Sequence, residues 1–327
     1  MAFGFILLIK GGDWFVDAAV GVAKRFGLPE LLIGATVVSI GTTLPEVMTS
    51  AIAAAGGDGG IAYGNAVGSI ICNTSFIAAL TIAIKPGKAD RKSLIFPVCM
   101  FFGVAIFYSL VAYIGGGFER WAGIVLLVTF VVYMVVNVLN MKRNPEQKNE
   151  ELELPEELPE GEAENGGSLL KNILFLIIGA AVIAIGADLL ATNAKIVAED
   201  YLGIPSSIVG VTIVALGTSL PELVTAITSL MKGHGALSLG NIIGANIFNL
   251  VLVSGIAITI NPFKLPVGTE IAGIPSSLII DIPLVFAVMA IMTVPTIFRG
   301  KLSRVQGISL LALYAGFITS QVVLALV

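Results

Sequence analysis

A chain of 327 residues that is 56% hydrophobic and only 12% charged lacks the polar sequence to coat a soluble core, since soluble domains carry about a quarter charged residues. Its apolar runs approach the ~20 residues that cross a bilayer core, and they are continuous, which excludes the ten-residue alternating segments of a transmembrane barrel. The net charge of −4 reflects a local excess, nine of the 22 acids lying between Glu146 and Glu164, and no basic stripe for nucleic acid accompanies it.

Ten spanning segments are predicted, at about 2–23, 31–55, 61–84, 93–114, 119–140, 169–195, 205–231, 237–260, 271–297 and 305–326. The first begins MAFGFILLIKGGDWFV with no cleavage site after it, so a spanning helix is expected rather than a signal peptide. Cys72 and Cys99 fall inside apolar runs and are expected as buried thiols, not as a disulfide or metal site. Trp14 and Trp121 suit membrane interfaces. Between the fifth and sixth segments, MKRNPEQKNEELELPEELPEGEAENGG is acidic and rich in Pro and Gly. It reads as a solvated spacer without an EF-hand pattern. His234, the single histidine, is expected in a short loop, which excludes a histidine-based metal centre.

The basic residues set an orientation. Loops after segments one, three, five, seven and nine hold 14 of the 18, among them Lys24, Arg25, Arg91, Lys142, Lys232 and Arg299. The opposite side holds Lys10, Arg120, Lys195 and Lys264. The acidic linker is therefore expected in the cytoplasm and both termini outside.

An internal repeat organises the chain. GLPELLIGATVVSIGTTLPEVMTS (27–50) matches GIPSSIVGVTIVALGTSLPELVTA (203–226) at an offset of 176, and GNAVGSIICN (64–73) matches GNIIGANIFN (240–249) at the same offset. GGDWFVDAA (11–19) resembles GADLLATNA (186–194) with a one-residue shift. Five segments in each half is an odd number, so the second half enters the membrane upside down, a recurring plan of secondary transporters. The predicted fold is an all-α polytopic membrane protein of ten transmembrane helices. It comprises two inverted five-helix repeats, 1–140 and 169–327, joined by the linker 141–168.

The repeats carry the chemistry. Glu46 and Glu222 each lie in an apolar span without a Lys or Arg, where an ionised carboxylate costs several kcal/mol or more. A bound cation is the natural compensation, and two glutamates neutralise one divalent ion. Thr42 and Thr43 precede Glu46 by four and three residues, placing two hydroxyls and a carboxylate on one helical face; Thr218, Ser219 and Glu222 repeat this. Pro45 and Pro221 lack an N–H and free the carbonyls of Gly41 and Gly217. Ser69 and Asn73 share a face of the partner segment, matched by Ala245 and Asn249. Glycines 64, 68, 240 and 244 run at small-xxx-small spacing, suited to close helix approach. Carboxylate, hydroxyl and carbonyl oxygens without sulfur or imidazole suit a hard cation such as Ca²⁺ rather than zinc or copper. Asn65, Asn241 and Asn246 are expected in interhelical hydrogen bonds ahead of ion coordination. Asp13 and Asp188 are expected as interfacial capping or folding residues, and Glu30 and Asp281 as ordinary helix-end charges.

GTTLPE with GNAVGSIICN, and GTSLPE with GNIIGANIFN, resemble the two α-repeats of the cation/Ca²⁺ antiporter superfamily, in its prokaryotic Na⁺/Ca²⁺ exchanger branch. The resemblance implies a ten-helix fold with its sites between the second, third, seventh and eighth helices. It implies Ca²⁺ held by Thr42, Glu46, Thr218 and Glu222. It implies sodium sites from the same glutamates with Thr43, Ser69, Ser219 and the carbonyls of Ser39 and Ala215, and it turns Asn73 and Asn249 toward the centre. The sequence departs from the pattern where some members carry a serine at Ala245 and an acid at Asn249.

The expected activity is Na⁺/Ca²⁺ antiport by alternating access in the cell membrane, with Ca²⁺ and Na⁺ as cargo, inorganic cations and lipid as partners, and no cofactor. Proton-coupled or otherwise coupled cation exchange is the alternative, followed by a cation channel, for which no charged ring or filter loop is visible. An intramembrane enzyme is disfavoured, because no Ser–His, paired-Asp or HExxH arrangement is present.

Overall fold

Backbone N–H and C=O groups in lipid must be satisfied within the chain, and apolar runs of this length do so as helices. The computed structural model describes residues 2–143, 169–201, 215–265, 270–271 and 273–326. Its helices are α1 (Ala2–Phe26), α2 (Glu30–Ala55), α3 (Gly59–Ile84), α4 (Arg91–Gly115), α5 (Arg120–Arg143), α6 (Leu169–Ile196), α7 (Leu220–Met231), α8 (Gly235–Ile260), α9 (Ser277–Arg299) and α10 (Arg304–Leu326). Among the described residues eight of these, α2–α6 and α8–α10, are long and apolar enough to cross a membrane. Helix α1 has the length, but Lys10, Asp13 and Asp17 interrupt its apolar run. Of the predicted segment 205–231, the described part is α7 and a preceding turn, Ala215–Thr218. Residues 205–214, and residues 144–168 of the acidic linker, lie outside the described residues.

Among the described residues five wide turns with i→i+5 bonding occur: Gly34–Val38 in α2, Asn73–Ala78 in α3, Val197–Tyr201 continuing α6, Asn249–Val253 in α8 and Ser277–Asp281 in α9. Such turns disturb the carbonyl ladder, and hydroxyls take up the slack. Ser39 Oγ donates to Gly34 O (2.8 Å) and Ser254 Oγ to Asn249 O (2.9 Å), each across five residues.

Short antiparallel pairings tie the helix ends. Strand β1 (Gly117–Phe118) pairs with β2 (Phe263–Lys264), joining the α4–α5 and α8–α9 connections. Lys88 pairs with Lys301, joining the α3–α4 and α9–α10 connections. Both pairings follow tight turns: Gly116 (φ 63°) and Gly300 (φ 66°) end α4 and α9 in the left-handed conformation that glycine adopts without strain. Strands β3 (Glu270–Ile271) and β4 (Ile274–Pro275) form a small hairpin before α9.

Glycines set the tightest helix contacts. Helices α1 and α6 run antiparallel, Gly4 against Gly186 at one end and Gly21 against Asn172 at the other. Helices α2 and α8 pack closer still. A Cβ on Gly240 would stand 2.0 Å from Leu31 O, and one on Gly34 would stand 2.4 Å from Leu237 O. Phe248 anchors the core with edge contacts to Phe130 (5.2 Å) and Tyr133 (6.1 Å). Ile52 on α2, and Ile106, Leu110 and Ile114 on α4, point outward as lipid-facing side chains do. Cys72 is buried, but Cys99 is exposed on the outer face of α4, correcting the expectation that both thiols are internal. An apolar run does not distinguish a core face from a lipid face, because both are apolar.

At one end of the bundle, ion pairs hold the α7–α8 turn. Lys232 Nζ reaches Asp17 Oδ1 (2.7 Å) and Asp13 Oδ1 (3.3 Å) on α1, and His234 Nδ1 meets Glu30 Oε1 (2.6 Å) at the start of α2. All five side chains are partly exposed, where such pairs contribute little stability, of order 1 kcal/mol or less.

Candidate cation site

The first motif stays helical through Pro45, downstream of the wide turn Gly34–Val38. The second is broken. Ala215–Thr218 forms one turn, Ser219 leaves the helix at φ −90°, ψ 8°, and α7 restarts at Leu220 with Pro221 in its first turn. Proline is at ease there because the first N–H groups of a helix have no internal partner. Glu222 therefore enters the core from a helix N-terminus, where the dipole favours negative charge, whereas Glu46 enters from mid-helix.

Both carboxylates are fully buried, 0% exposed, and close enough to repel one another. Thr42 and Thr43 lie beside Glu222. Yet neither oxygen of Glu46 or Glu222 has a partner in hydrogen-bonding geometry. Thr43 Oγ1 and both amide atoms of Asn73 and Asn249 are also buried without partners. Nearly all buried polar groups in proteins are hydrogen-bonded, and an unmet buried charge is costlier than an unmet amide. These nine unpaired atoms, seven of them oxygens, sit on five residues of the two repeats, and their chemistry suits a hard cation. Among the described residues no group of three His, Cys, Asp or Glu is placed to hold a metal.

Ser69 and Ser219 meet across the α3–α7 boundary at 3.5 Å. Thr218 is half-buried and Ala245 fully buried. Asn73 and Asn249 each open the wide turn of their helix, at repeat-equivalent positions. A cavity of about 900 Å³ between α1, α2 and α6 reaches Gly41 and Pro45 of the first motif and Gly217 and Thr218 of the second.

The first asparagine of each partner segment braces a motif. Asn65 Nδ2 donates to Glu46 O (3.1 Å) and Ser50 Oγ (2.9 Å). Asn241 accepts from Thr42 Oγ1 at Oδ1 (3.2 Å) and donates to Thr225 Oγ1 (3.0 Å), which in turn donates to Pro221 O (2.9 Å). One amide thus links the two motifs. Because Thr42 spends its proton on Asn241, its lone pairs stay free for a cation. Asn246 is likewise interhelical, donating to Thr74 Oγ1 (2.7 Å). Asn241→Ala is expected to lower stability by about 1–3 kcal/mol, the cost of stranding buried partners. Thermal unfolding in detergent measures it, and an unchanged midpoint would remove Asn241 from this role.

Sequence reading assigned no role to Cys72, whose thiol sits beside Ser219 and near both glutamates, with Tyr314 Oη 3.8 Å from Sγ. Its position next to Asn73 was the available signal.

Comparison with known proteins places these features in a family. The model for the sodium/calcium exchanger protein family matches residues 1–139 and 171–323. A membrane protein of Methanocaldococcus jannaschii, MJ0091, is 35% identical over 176 residues, 54% of this chain and 53% of that protein. The match thus spans about half the length of that relative. Sodium/calcium exchanger MaX1 of Methanosarcina acetivorans is 29% identical over 96% of this chain and 95% of its own. A solved structure of the sodium-calcium exchanger NCX_Mj, soaked with 2.5 mM Na⁺ and 0.1 mM Ca²⁺, superposes with a TM-score of 0.78 at 31% identity, covering 98% of this chain and 96% of that one.

Proposed function

The chain belongs to the sodium/calcium exchanger protein family, and from that premise we propose that it is a membrane antiporter exchanging Na⁺ for Ca²⁺, with Glu46 and Glu222 as the shared ion site. The observation that carries the site is the pair of fully buried carboxylates without a hydrogen-bond partner, one from each repeat. Two negative charges neutralise one Ca²⁺, and Thr42 and Thr218 complete its shell. Sodium ions use the same carboxylates with Thr43, Ser69 and Ser219, while Asn73 and Asn249 face the centre. Because the glutamates are common to both cargoes, Na⁺ and Ca²⁺ compete for them. An ion-free pair of carboxylates is too costly to close off from water, so the carrier crosses the membrane loaded. The reading is of a transporter, not an enzyme, with no resident cofactor.

The proposed architecture is ten helices in two inverted halves, 1–140 and 169–327, around the linker 141–168. Two observations support it. The first helices of the halves, α1 and α6, run antiparallel. The loop after the third helix of one half pairs with the loop after the fourth helix of the other, and the converse pairing is also made. An inverted two-fold relation accounts for both. The linker is read as cytoplasmic and the termini as external from the basic-residue bias. The glycine-packed α1–α6 pair is the proposed gate, sliding as one unit, with the Lys232 ion pairs to Asp13 and Asp17 tying it to the α7–α8 turn.

Na⁺-gradient-driven ⁴⁵Ca²⁺ uptake into proteoliposomes tests the function. Uptake that follows the Na⁺ gradient supports it, and uptake driven by a pH gradient without Na⁺ overturns the coupling. The missing hydroxyl at Ala245 offers a finer check. Ala245→Ser supplies one more oxygen and is expected to lower the half-saturating Na⁺ about two- to tenfold, the value of one polar contact. An unchanged Na⁺ dependence would place Ala245 outside the sodium shell.

A further inference from the structure

Another carboxylate, Asp281, lies in the opening turns of a spanning helix. Asp281 closes the wide turn Ser277–Asp281 of α9, and no Lys, Arg or His among the described residues pairs with it. Gln321 Nε2, near the end of α10, donates to its Oδ1 (3.2 Å). The Ser277 hydroxyl lies beside both Asp281 and the phenol of Tyr63. Tyr63 comes from the second turn of α3 and is 3% exposed; its buried hydroxyl, within electrostatic range of Asp281, has no partner in hydrogen-bonding geometry. Tyr108 of α4 brings a second buried hydroxyl without a partner, close to that of Tyr63. Tyr113, from the last turn of α4, donates its hydroxyl to the carbonyl of Leu278 within the wide turn.

Helices α3, α9 and α10 thus bring neutral polar side chains toward one carboxylate, and α4 bonds to the same wide turn through Tyr113. Tyr63 lies two residues from Asn65, which braces Glu46, so the two side chains leave opposite faces of α3 and Tyr63 turns away from the glutamates. Ionisable residues inside membrane spans mark ion paths by default, and wide helical turns recur at functional sites. We propose that Asp281, Ser277, Tyr63 and Gln321 form a second cation site that takes one alkali-metal ion. Charge selects the class. A single carboxylate balances one positive charge, whereas a divalent ion would keep an uncompensated charge in a low-dielectric setting. The oxygen-only shell excludes soft metals. The occupied site would tie the start of α9 to α3 and α10.

Thallous ion is the probe, because its anomalous scattering reports position independently of transport. Crystals of the full chain grown with Tl⁺ are expected to show a peak within coordinating distance of Asp281. That peak should persist in Glu46→Gln and vanish in Asp281→Asn. Adding excess K⁺ or Na⁺ should displace it, and the more effective ion identifies the occupant. In solution, K⁺ or Na⁺ against N-methylglucamine at constant ionic strength should raise the unfolding temperature of the Glu46→Gln/Glu222→Gln protein by a few degrees. Adding Tyr63→Phe should reduce that shift. No Tl⁺ peak beside Asp281 in the wild-type chain, or a peak unchanged by Asp281→Asn, overturns the proposal and leaves the exchange reading untouched.

Discussion

Glu46→Gln and Glu222→Gln are each expected to reduce Na⁺-gradient-driven ⁴⁵Ca²⁺ uptake by a hundredfold or more. Glutamine keeps the volume and removes one charge of a buried site, and breaking a buried charge pairing costs about 3–5 kcal/mol, which is two to four decades in binding. The variants should still fold. Without cations the wild-type core holds two carboxylates that repel one another and have no hydrogen-bond partner. Either glutamine removes that repulsion, so the cation-free variant should unfold at a higher temperature than the cation-free wild type. Ca²⁺ should raise the unfolding temperature of the wild type, as a ligand that binds only the folded state does, and lose that effect in the variants. A fall in transport accompanied by unchanged Ca²⁺ stabilisation would assign the glutamates to movement rather than binding.

Gly240→Ala is the second large effect, and it works through packing. The new methyl would stand 2.0 Å from Leu31 O and 2.8 Å from Leu31 C, both backbone atoms that no rotamer change can move. Helices α2 and α8 must separate, and the contacts among Thr42, Asn241 and Ser39 separate with them. Overpacking costs about 1–3 kcal/mol where side chains can yield, and backbone contact places this case at or above the top of that range. A matched control is Gly103→Ala on α4, which is exposed and meets nothing within 4 Å among the described residues. The control should be neutral or slightly stabilising through helix propensity. Folded yield and unfolding midpoint in detergent measure both. Equal behaviour of the two variants would contradict the close α2–α8 approach.

Much of this molecule is legible in its sequence because the bilayer imposes few options. Helix bounds such as 61–84 against Gly59–Ile84, or 93–114 against Arg91–Gly115, follow from apolar length alone. Glu46 and Glu222 stand out for the same reason, as charges in spans that offer no counter-ion. What sequence did not disclose depends on tertiary detail. The two motifs differ only at Thr43 and Ser219, yet α2 runs unbroken through Pro45 while the second motif breaks at Ser219. Closely similar local propensities take different courses when the helices they pack against differ. The wide turns at Asn73 and Asn249 have no composition signal, because they arise from where hydroxyls and carbonyls meet in the fold. Asn241 was expected to bond between helices, but that it joins Thr42 to the turn bearing Glu222 depends on α8 lying against α2 through Gly240 and Gly244. Asp281 read as a helix-end charge because its hydrogen-bond partner, Gln321, lies 40 residues after it on another helix.

Na⁺ and Ca²⁺ are proposed to occupy one site between two repeat-related glutamates. Crystal structures of the full chain, one in Ca²⁺ without Na⁺ and one in high Na⁺ without Ca²⁺, test it most directly. The account predicts a single Ca²⁺ coordinated by Glu46 and Glu222 together, replaced in Na⁺ by weaker density sharing the same carboxylates. Ca²⁺ bound away from both glutamates, or Ca²⁺ retained beside Na⁺ bound at separate carboxylates, would contradict it.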